Sequence, residues 1–134
     1  MAYYVLNTNN RNSEEDDKYM LLEKKAAAFF SPWKYTIEKF VKGDIIFLYR
    51  AAEGIIAMGT ASGIVEKRSY QNDELHPEEE YCQLLSDFRQ VRQPLKASQV
   101  KAITGVNHLF HSMMFPMDEA SGDKLLTYIA GQKR

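Results

Sequence analysis

The feature that most constrains the fold is a continuous apolar run in the middle of the chain. Residues Ile45 to Tyr49 read IIFLY, so every position is apolar and most belong to residue types that favour strands. A strand with one face in water alternates apolar and polar side chains, whereas this run does not. It therefore predicts a strand buried on both faces, inside a barrel or a covered sheet.

Turn signals flank this run and make it the first strand of a hairpin. Lys42-Gly43-Asp44 precedes it, Glu53-Gly54 follows it, and Ile55 to Val65 returns to extended character. The second strand carries three glycines: Gly54, Gly59 and Gly63. Glycines in a strand mark a bulge, a sharp bend or the close approach of another group. We expect bends that let the hairpin curl around a small barrel.

Local patterns predict the remaining elements. Ser13 followed by the acidic run Glu14 to Asp17 has the features of a helix N-terminus. The segment Tyr81 to Arg92 fits a strand or a helical stripe, and we favour a strand because the barrel needs one and Pro94 ends the segment. The other predicted elements are a strand Tyr3 to Asn7, a helix from Glu14 to Phe29 or Phe30, a helical turn Thr36 to Phe40, a short helix Ser98 to Ile103 with Gly105 as its cap, and a last helix from Asp118 or Glu119 to Ala130.

Chain length and charge restrict the class of protein. The 134 residues suit one domain, with 45% hydrophobic and 26% charged residues. The net charge is -1, whereas proteins that bind duplex nucleic acid mainly through its phosphates usually carry a basic excess. The acidic side chains are concentrated in Glu14 to Asp17 and Glu78 to Glu80, so the sequence remains compatible with a local basic groove.

Cysteine usage and the N-terminal sequence predict a cytoplasmic protein. Cys82 is the sole cysteine, so no intrachain disulfide can form and a reducing compartment fits. The first residues, MAYYVLNTNN, lack the basic flank and apolar segment of a signal peptide. No run of about 18 apolar residues occurs, so we expect no membrane partner.

Motifs for the common catalytic chemistries do not occur in the sequence. It contains no phosphate-binding G-x-x-x-x-G-K-[ST] loop, no dinucleotide fingerprint, no nucleophile elbow and no H-E-x-x-H zinc motif. Cys82 paired with a histidine could act as a nucleophile, although a buried structural thiol is the simpler interpretation. His108 and His111 have the spacing of helical metal ligands but lack a third ligand at suitable spacing. We therefore predict binding rather than catalysis, with neither a metal nor a cofactor.

Three polar or isolated features have alternative interpretations. Trp33 follows Ser31-Pro32 and, on composition alone, is a packing residue. Tyr70 lies in a hydrophilic stretch and either packs over a sheet edge or forms the wall of a pocket. The polar stretch Asn7 to Asn12 is either a surface turn or a rim of amides, which carry the donor and acceptor needed to read a nucleobase edge.

The order of these segments resembles that of the EVE domain, a branch of the PUA-like superfamily related to YTH and ASCH domains. The resemblance rests on the aromatic strand Tyr3 to Asn7, a helix, the lone Trp33, VKGDIIFLYR, the glycine-bearing GIIAMGTASG, and HLFHSMMFP from His108 to Pro116. It spans nearly the whole chain and implies a single EVE/PUA-like domain over residues 1–134. The implied fold is α+β, a small bent β-barrel of five or six strands with helices packed on its outside.

The resemblance also implies a function, the recognition of a modified base, such as a methylated one, in DNA or RNA. The base would be flipped out of its stack and held between aromatic faces while polar groups read its edge. Trp33 stands where YTH relatives carry a tryptophan of their aromatic cage, although their further tryptophans have no counterpart here. The implied site has Trp33 and Tyr70 as opposite walls, Asn7, Thr8 and Asn9 on the floor or rim, and Lys34, Arg50 and Arg89 as a phosphate rim.

Two other functions stay open from the sequence. An accessory domain that binds structured RNA would show strong salt dependence and indifference to base modification. A small enzyme acting on a nucleotide-like substrate would place a cysteine or histidine with a perturbed pKa in the same pocket as Trp33.

Overall fold

Seven strands and three α-helices make up the described part of the chain, which in this computed structural model is residues 1–108, 110 and 112–132. The strands are β1 (Tyr3–Asn7), β2 (Lys25–Phe29), β3 (Ile45–Arg50), β4 (Gly54–Ala61), β5 (Glu66–Arg68), β6 (Glu80–Leu95) and β7 (Met114–Met117). The helices are α1 (Glu14–Glu23), α2 (Ala97–Thr104) and α3 (Glu119–Ala130), with short 3₁₀ helices at Trp33–Lys39 and Tyr70–Asn72. None of the helices in these residues has the length and apolar character needed to cross a membrane.

The strands form one curled mixed sheet in the order β2-β6-β4-β3-β1-β7, with the three-residue β5 also paired to β6. The pairing of β1 with β3 is parallel and the others are antiparallel. The 16-residue β6 pairs through Glu80–Leu84 with β2 and through the rest of its length with β4, so it carries the sheet around the bend. The predicted α+β class, a bent sheet with helices packed against it, is confirmed; over the described residues the sheet has seven strands, counting the three-residue β5, where five or six were expected.

The central strands β1 and β3 are covered on both faces, as the apolar run predicts. On the inner face of the curl, Leu6, Ile46 and Leu48 belong to a cluster with Met20 of α1 and the alanines of β2. On the opposite face, the alternate residues of the same strands pack under α2 and α3; this cluster contains Tyr3, Val5, Ile45, Phe47, Val100, Leu125 and Ile129. Burial on both faces fixes the register of these strands, because a shift of one residue would exchange the two faces.

The prediction of one long helix up to Phe29 or Phe30 is wrong. Helix α1 ends at Glu23, Lys24 takes a left-handed conformation with φ of 55°, and Lys25–Phe29 forms β2. All five residues of β2 are buried. A surface helix buries only one stripe of side chains, so full burial requires the strand, whose backbone groups bond to β6. The helical propensity of the three alanines is overridden by this tertiary pairing.

The predictions for the later elements are mostly confirmed. The segment Tyr81 to Arg92 is a strand, although it continues through Pro94 to Leu95. Helix α2 ends at a left-handed Gly105 with φ of 78°, and the last helix covers the predicted span. The predicted helical turn Thr36 to Phe40 is the second part of a 3₁₀ helix that begins earlier, at Trp33.

Tyr3 joins β1 to α3 through both its ring and its hydroxyl group. The ring is buried, stacks on Phe47 with centroids 6.0 Å apart, and lies directly against Gly122 of α3. The hydroxyl donates a hydrogen bond to Asp123. Burial, reinforced by Asp123, raises the pKa of Tyr3 to about 12.

We predict that Tyr3→Phe lowers the free energy of unfolding by about 1 kcal/mol at neutral pH, because one hydrogen bond is lost. The phenol has a higher pKa in the folded chain than in the unfolded one, so its contribution is complete below a pH of about 10 and disappears as the pH rises through about 12. Urea denaturation of both proteins across this range measures the difference. A difference that persists unchanged to pH 12 would contradict the assignment.

We predict that Gly122→Ala is destabilising by about 1–3 kcal/mol, although alanine favours helices more than glycine does. A Cβ at this position would overlap the ring of Tyr3, which is held by the sheet below it. Gly131→Ala is the matched control, because a Cβ there meets the carbonyl oxygen of Thr127 at an ordinary 3.4 Å. Thermal unfolding should separate the two variants, and equal melting temperatures would contradict this packing.

Candidate nucleic-acid interface

A cavity of about 490 Å³ opens beside the carboxyl end of β1. It is bounded by the loop between β1 and α1, the end of β2 with the residues that follow it, Tyr70, and a residue just before β7. The lining residues are Asn7, Asn9, Arg11, Asn12, Phe29, Phe30, Trp33, Tyr70 and Met113. Its size is in the range of small-molecule sites in proteins, which span roughly 300–1,000 Å³.

Trp33 borders this cavity with its indole ring accessible. Trp33 is 54% exposed. Among the described residues, no other aromatic ring packs against it. The indole face is therefore available to a planar ligand.

The aromatic wall of the cavity is a packed group of rings. Tyr70 lies against Phe30 with centroids 4.7 Å apart and meets Phe29 nearly edge-on at 5.4 Å. His76 packs edge-on against Phe30 from outside the cavity lining. Such tilted contacts are favourable for aromatic rings, so the wall keeps its shape without a ligand.

Phe30 holds its place through an uncommon backbone conformation. Its φ is 63°, in the left-handed region that a bulky residue rarely adopts. Two backbone hydrogen bonds secure it: its N–H donates to the carbonyl of Glu79, and its carbonyl accepts from the N–H of Lys34, both at 2.8 Å. Strained residues of this kind persist where their surroundings fix them, and they are frequent at binding sites.

The floor of the cavity is a chain of asparagine amides with defined orientations. The backbone N–H of Asn9 donates to Oδ1 of Asn7 at 2.7 Å, which closes a turn. Asn12 Nδ2 donates to Oδ1 of Asn9 at 2.7 Å, and Asn9 Nδ2 donates to Asp16 at 2.9 Å. The polar stretch is thus a turn, and the same turn brings the amides of Asn7, Asn9 and Asn12 to the cavity; their reading of a nucleobase edge stays a prediction.

Asp16 anchors this floor to the aromatic wall. The residue is 2% exposed, and besides Asn9 its carboxylate accepts hydrogen bonds from the Tyr70 hydroxyl and from Gln71 Nε2, both at 3.1 Å. It lies in the first turn of α1, where Ser13 accepts from its N–H and the helix dipole favours a negative charge. Burial of the hydroxyl and the nearby carboxylate raise the pKa of Tyr70, so the phenol keeps the proton that it donates.

Four of the five residues predicted for the base pocket line the cavity: Trp33, Tyr70, Asn7 and Asn9. The fifth, Thr8, is fully buried and donates its hydroxyl to Asp17 instead. Thr8 therefore belongs to the interior of the protein and not to the floor of the cavity.

The three residues predicted for the phosphate rim lie elsewhere, and each has a partner. Lys34 Nζ is 2.6 Å from a carboxylate oxygen of Glu79. The guanidinium of Arg50 binds Asp17 through two nitrogens, at 2.6 and 3.0 Å. Arg89 donates to carbonyl oxygens at the end of α3, at 3.0 and 3.3 Å. None of the three lines the cavity, so this rim does not fit the geometry.

The sequence reasoning missed several residues of the site. The sequence pattern places Phe29 and Phe30 at the end of a helix, and it does not single out Arg11 as a cation of the site. Arg11 is exposed and, within the described ranges, makes no ion pair. Its position in the loop between β1 and α1 is the only signal in the sequence, since loops often carry binding residues.

Of the groups considered for catalysis, Cys82, His76 and His108 do not line the cavity. Cys82 is buried in β6, and burial, with Glu80 nearby, raises the pKa of its thiol to about 12. His108 lies 3.4 Å from Asp118, far along the chain from the aromatic wall, and His111 lies outside the described residues. In the part of the chain that the structure describes, no three His, Cys, Asp or Glu side chains are grouped to hold a metal ion.

Comparison with solved structures identifies proteins of the same architecture. A crystal structure of an ASCH protein from Zymomonas mobilis, a Y47F mutant, superposes with a TM-score of 0.63 at 15% identity, covering 95% of this chain and 98% of that one. The chain has a PUA-like fold. An NMR structure of Rpa0253 from Rhodopseudomonas palustris gives a TM-score of 0.59 at 14% identity over 98% of this chain and 94% of the other. A Pseudomonas syringae protein gives 0.56 at 15% identity over 95% and 99%.

These likenesses establish the fold alone, because the identities are low. No protein-family model and no curated protein matches the sequence. The fold that the resemblance implies is therefore confirmed, whereas membership of the superfamily and of its EVE branch stays a prediction.

We predict that Arg50→Met lowers the free energy of unfolding by about 3 kcal/mol, because it leaves the buried carboxylate of Asp17 without its cation. Arg11→Met is the matched control, since Arg11 is exposed and unpaired among the described residues, and it should change stability by no more than about 0.5 kcal/mol. Urea denaturation of both variants measures the difference. Similar midpoints for the two would show that the pair does not hold the start of α1 to β3.

Proposed function

We propose that the chain is a non-catalytic nucleic-acid-binding module that takes one unstacked base of DNA or RNA into the cavity beside Trp33. The observation that carries this proposal is the half-exposed indole next to a cavity with an aromatic wall and an amide floor. Planar bases stack on such faces with about 1–3 kcal/mol each, and amides supply hydrogen bonds to their edges. The PUA-like fold supports a role with nucleic acid, and the buried single cysteine is compatible with the cytoplasm.

The charge of the chain supports stacking, rather than phosphate contacts, as the main source of its affinity for nucleic acid. The net charge of the chain is -1, and the cations predicted for the rim are engaged in the protein. Arg11 is the cation that remains at the cavity, and we propose it as a phosphate contact of the bound nucleotide. A module of this kind binds an extruded or single-stranded base more readily than an intact duplex.

We further propose that the bound base is a modified one, such as a methylated base. This step rests on the resemblance to the EVE and YTH branches, and the apolar side chains of Phe30 and Met113 offer contacts for an added methyl group. Labelled single-stranded oligonucleotides that differ only in one base, cytosine or 5-methylcytosine and adenine or N6-methyladenine, test this step. Equal affinities within both pairs would assign the chain to RNA or DNA binding without modification specificity.

We predict that Trp33→Ala weakens oligonucleotide binding about 10- to 100-fold, because a stacking face is lost. Fluorescence anisotropy of a labelled oligonucleotide measures this without relying on tryptophan emission. Tyr128→Ala is the matched control, since Tyr128 is an aromatic residue of α3 with 42% exposure that does not line the cavity. In the unmodified protein, binding should also quench the emission of Trp33, the sole tryptophan. Unchanged affinity of the Trp33 variant would refute the proposal.

We predict that Arg11→Gln lowers the slope of log affinity against log salt concentration by about 0.7–0.9, the value of one phosphate contact. Lys101→Gln removes the same charge from the exposed face of α2 and should leave the slope unchanged. Titrations between low and physiological salt give both slopes. If the two variants behave alike, Arg11 acts through overall charge and not through a contact at the cavity.

A further inference from the structure

The amide floor determines which chemical groups the cavity presents to a ligand. An asparagine amide can turn either its oxygen or its nitrogen toward the cavity, and the hydrogen bonds around it decide which of the two orientations is adopted. Here the backbone N–H of Asn9 requires an acceptor and lies 2.7 Å from Oδ1 of Asn7. The amide nitrogen of Asn7 is therefore the group left over, and it has no hydrogen-bond acceptor among the described residues.

The next amides along the floor cannot reverse this arrangement. Asn9 is fixed at both ends of its side chain, since Nδ2 donates to the buried Asp16 at 2.9 Å and Oδ1 accepts from Asn12 at 2.7 Å. Asp16 is an acceptor only, so the whole chain of donors and acceptors has one direction. Asn7 itself is held in β1, where its backbone N–H bonds to the carbonyl of Met113 at 2.7 Å.

Apart from the Oδ1 of the exposed Asn12, whose Nδ2 donates to Asn9, and the hydroxyl of Tyr70, the other polar groups around the cavity have donors to offer. The guanidinium of Arg11 can only donate, and so can the indole N–H of Trp33. The hydroxyl of Tyr70 donates its hydrogen bond to Asp16 and accepts one from Gln71 Nε2 at 3.1 Å, so it has no proton left to donate to a ligand. A ligand that fits this lining carries hydrogen-bond acceptors on the edge that enters first.

We propose that the cavity selects bases with a ring carbonyl group, through donation from the Asn7 amide, and discriminates against adenine, with Asp16 and Asn9 as positioning residues. This inference rests on the proposed function. With the 6-position of a purine facing Asn7, a carbonyl oxygen there offers two lone pairs to the Asn7 N–H groups, whereas the 6-amino group of adenine would place donor against donor. An unmatched donor pair in a partly buried site costs more than a missing contact, so the discrimination is against adenine and its N6-methyl derivative.

The matched ligands for the test are inosine and adenosine, which have the same ring shape but carry a 6-oxo and a 6-amino group. Each is placed as the single base of a short oligonucleotide whose other positions are abasic, so that one base alone can enter the cavity. We expect the inosine oligonucleotide to bind about 10-fold more tightly. Uridine in the same otherwise abasic oligonucleotide carries oxo groups and should bind more tightly than adenosine does. N6-methyladenosine should bind no better than adenosine.

The matched variants are Asn7→Asp and Asn10→Asp. In Asn7→Asp the carboxylate can still accept from the N–H of Asn9, but the presented group becomes an acceptor, so the preference should be lost or reversed in favour of adenosine. Asn10 lies in the same loop outside the cavity lining, and its Oδ1 accepts from the N–H of Ala51 at 3.0 Å, which an aspartate can also do. Asn10→Asp thus adds the same charge and should keep the preference for inosine.

The outcomes separate this inference from the proposed function. Equal binding of inosine and adenosine by the unmodified protein, with both lost in Trp33→Ala, overturns the selection by Asn7 and leaves base binding in place. An equal loss of preference in both aspartate variants also overturns it, because the effect would then be one of loop charge. If no base-bearing oligonucleotide binds better than a fully abasic one, the proposed function itself fails.

Discussion

The parallel pairing of β1 with β3 is the interaction on which the rest of the structure depends. Together the two strands separate the inner cluster, closed by α1 and β2, from the outer cluster under α2 and α3. β7 pairs with the other edge of β1, so its backbone groups are satisfied on both sides. The last residue of β1 is Asn7, and the cavity floor therefore begins at the end of a strand that cannot shift without moving both layers.

Two adjacent carboxylates at the start of α1 join this strand pair to the candidate site. Asp17 binds Arg50 at the end of β3 and accepts from Thr8, whereas Asp16 binds the amide floor and the phenol of Tyr70. The helix N-terminus stabilises both negative charges, and both residues are nearly inaccessible to water. A run that looks like an ordinary acidic helix start thus serves as the connection between the scaffold and the pocket.

Sequence reasoning worked where one physical effect dominates a segment. The uninterrupted apolar run could only be a strand covered on both faces, and the hairpin, the bent sheet and the last helix follow from similarly local signals. Sequence reasoning failed at β2. The three alanines have a high helical propensity, but they are buried because β2 pairs with β6, and local propensity carries no information about that pairing. The two strands are about 55 residues apart in the chain, as the hydrogen bond between Lys25 and Glu80 shows.

The same distinction applies to the candidate site. Trp33 and the asparagines could be proposed only through the resemblance to the EVE and YTH domains, and Trp33, Asn7 and Asn9 do lie together at the cavity. The cations could not be assigned, because whether an arginine is available depends on its neighbours in space: Arg50 has a buried carboxylate beside it and Arg11 has none among the described residues. Phe30 could not be predicted as part of the wall, because its position there depends on a left-handed backbone conformation that no sequence pattern indicates for phenylalanine.

The continuous 16-residue β6 has a consequence for how the molecule loses its structure. Its first residues hold β2, which supplies Phe29 to the aromatic wall, and its last residues hold β4 in the layer beneath α2. Neither the β2 side nor the β4 side of the sheet can unfold by itself without breaking the continuous strand β6 in the middle. Unfolding should accordingly be all-or-none, with the emission of Trp33 and the far-ultraviolet dichroism of the sheet following the same curve against temperature.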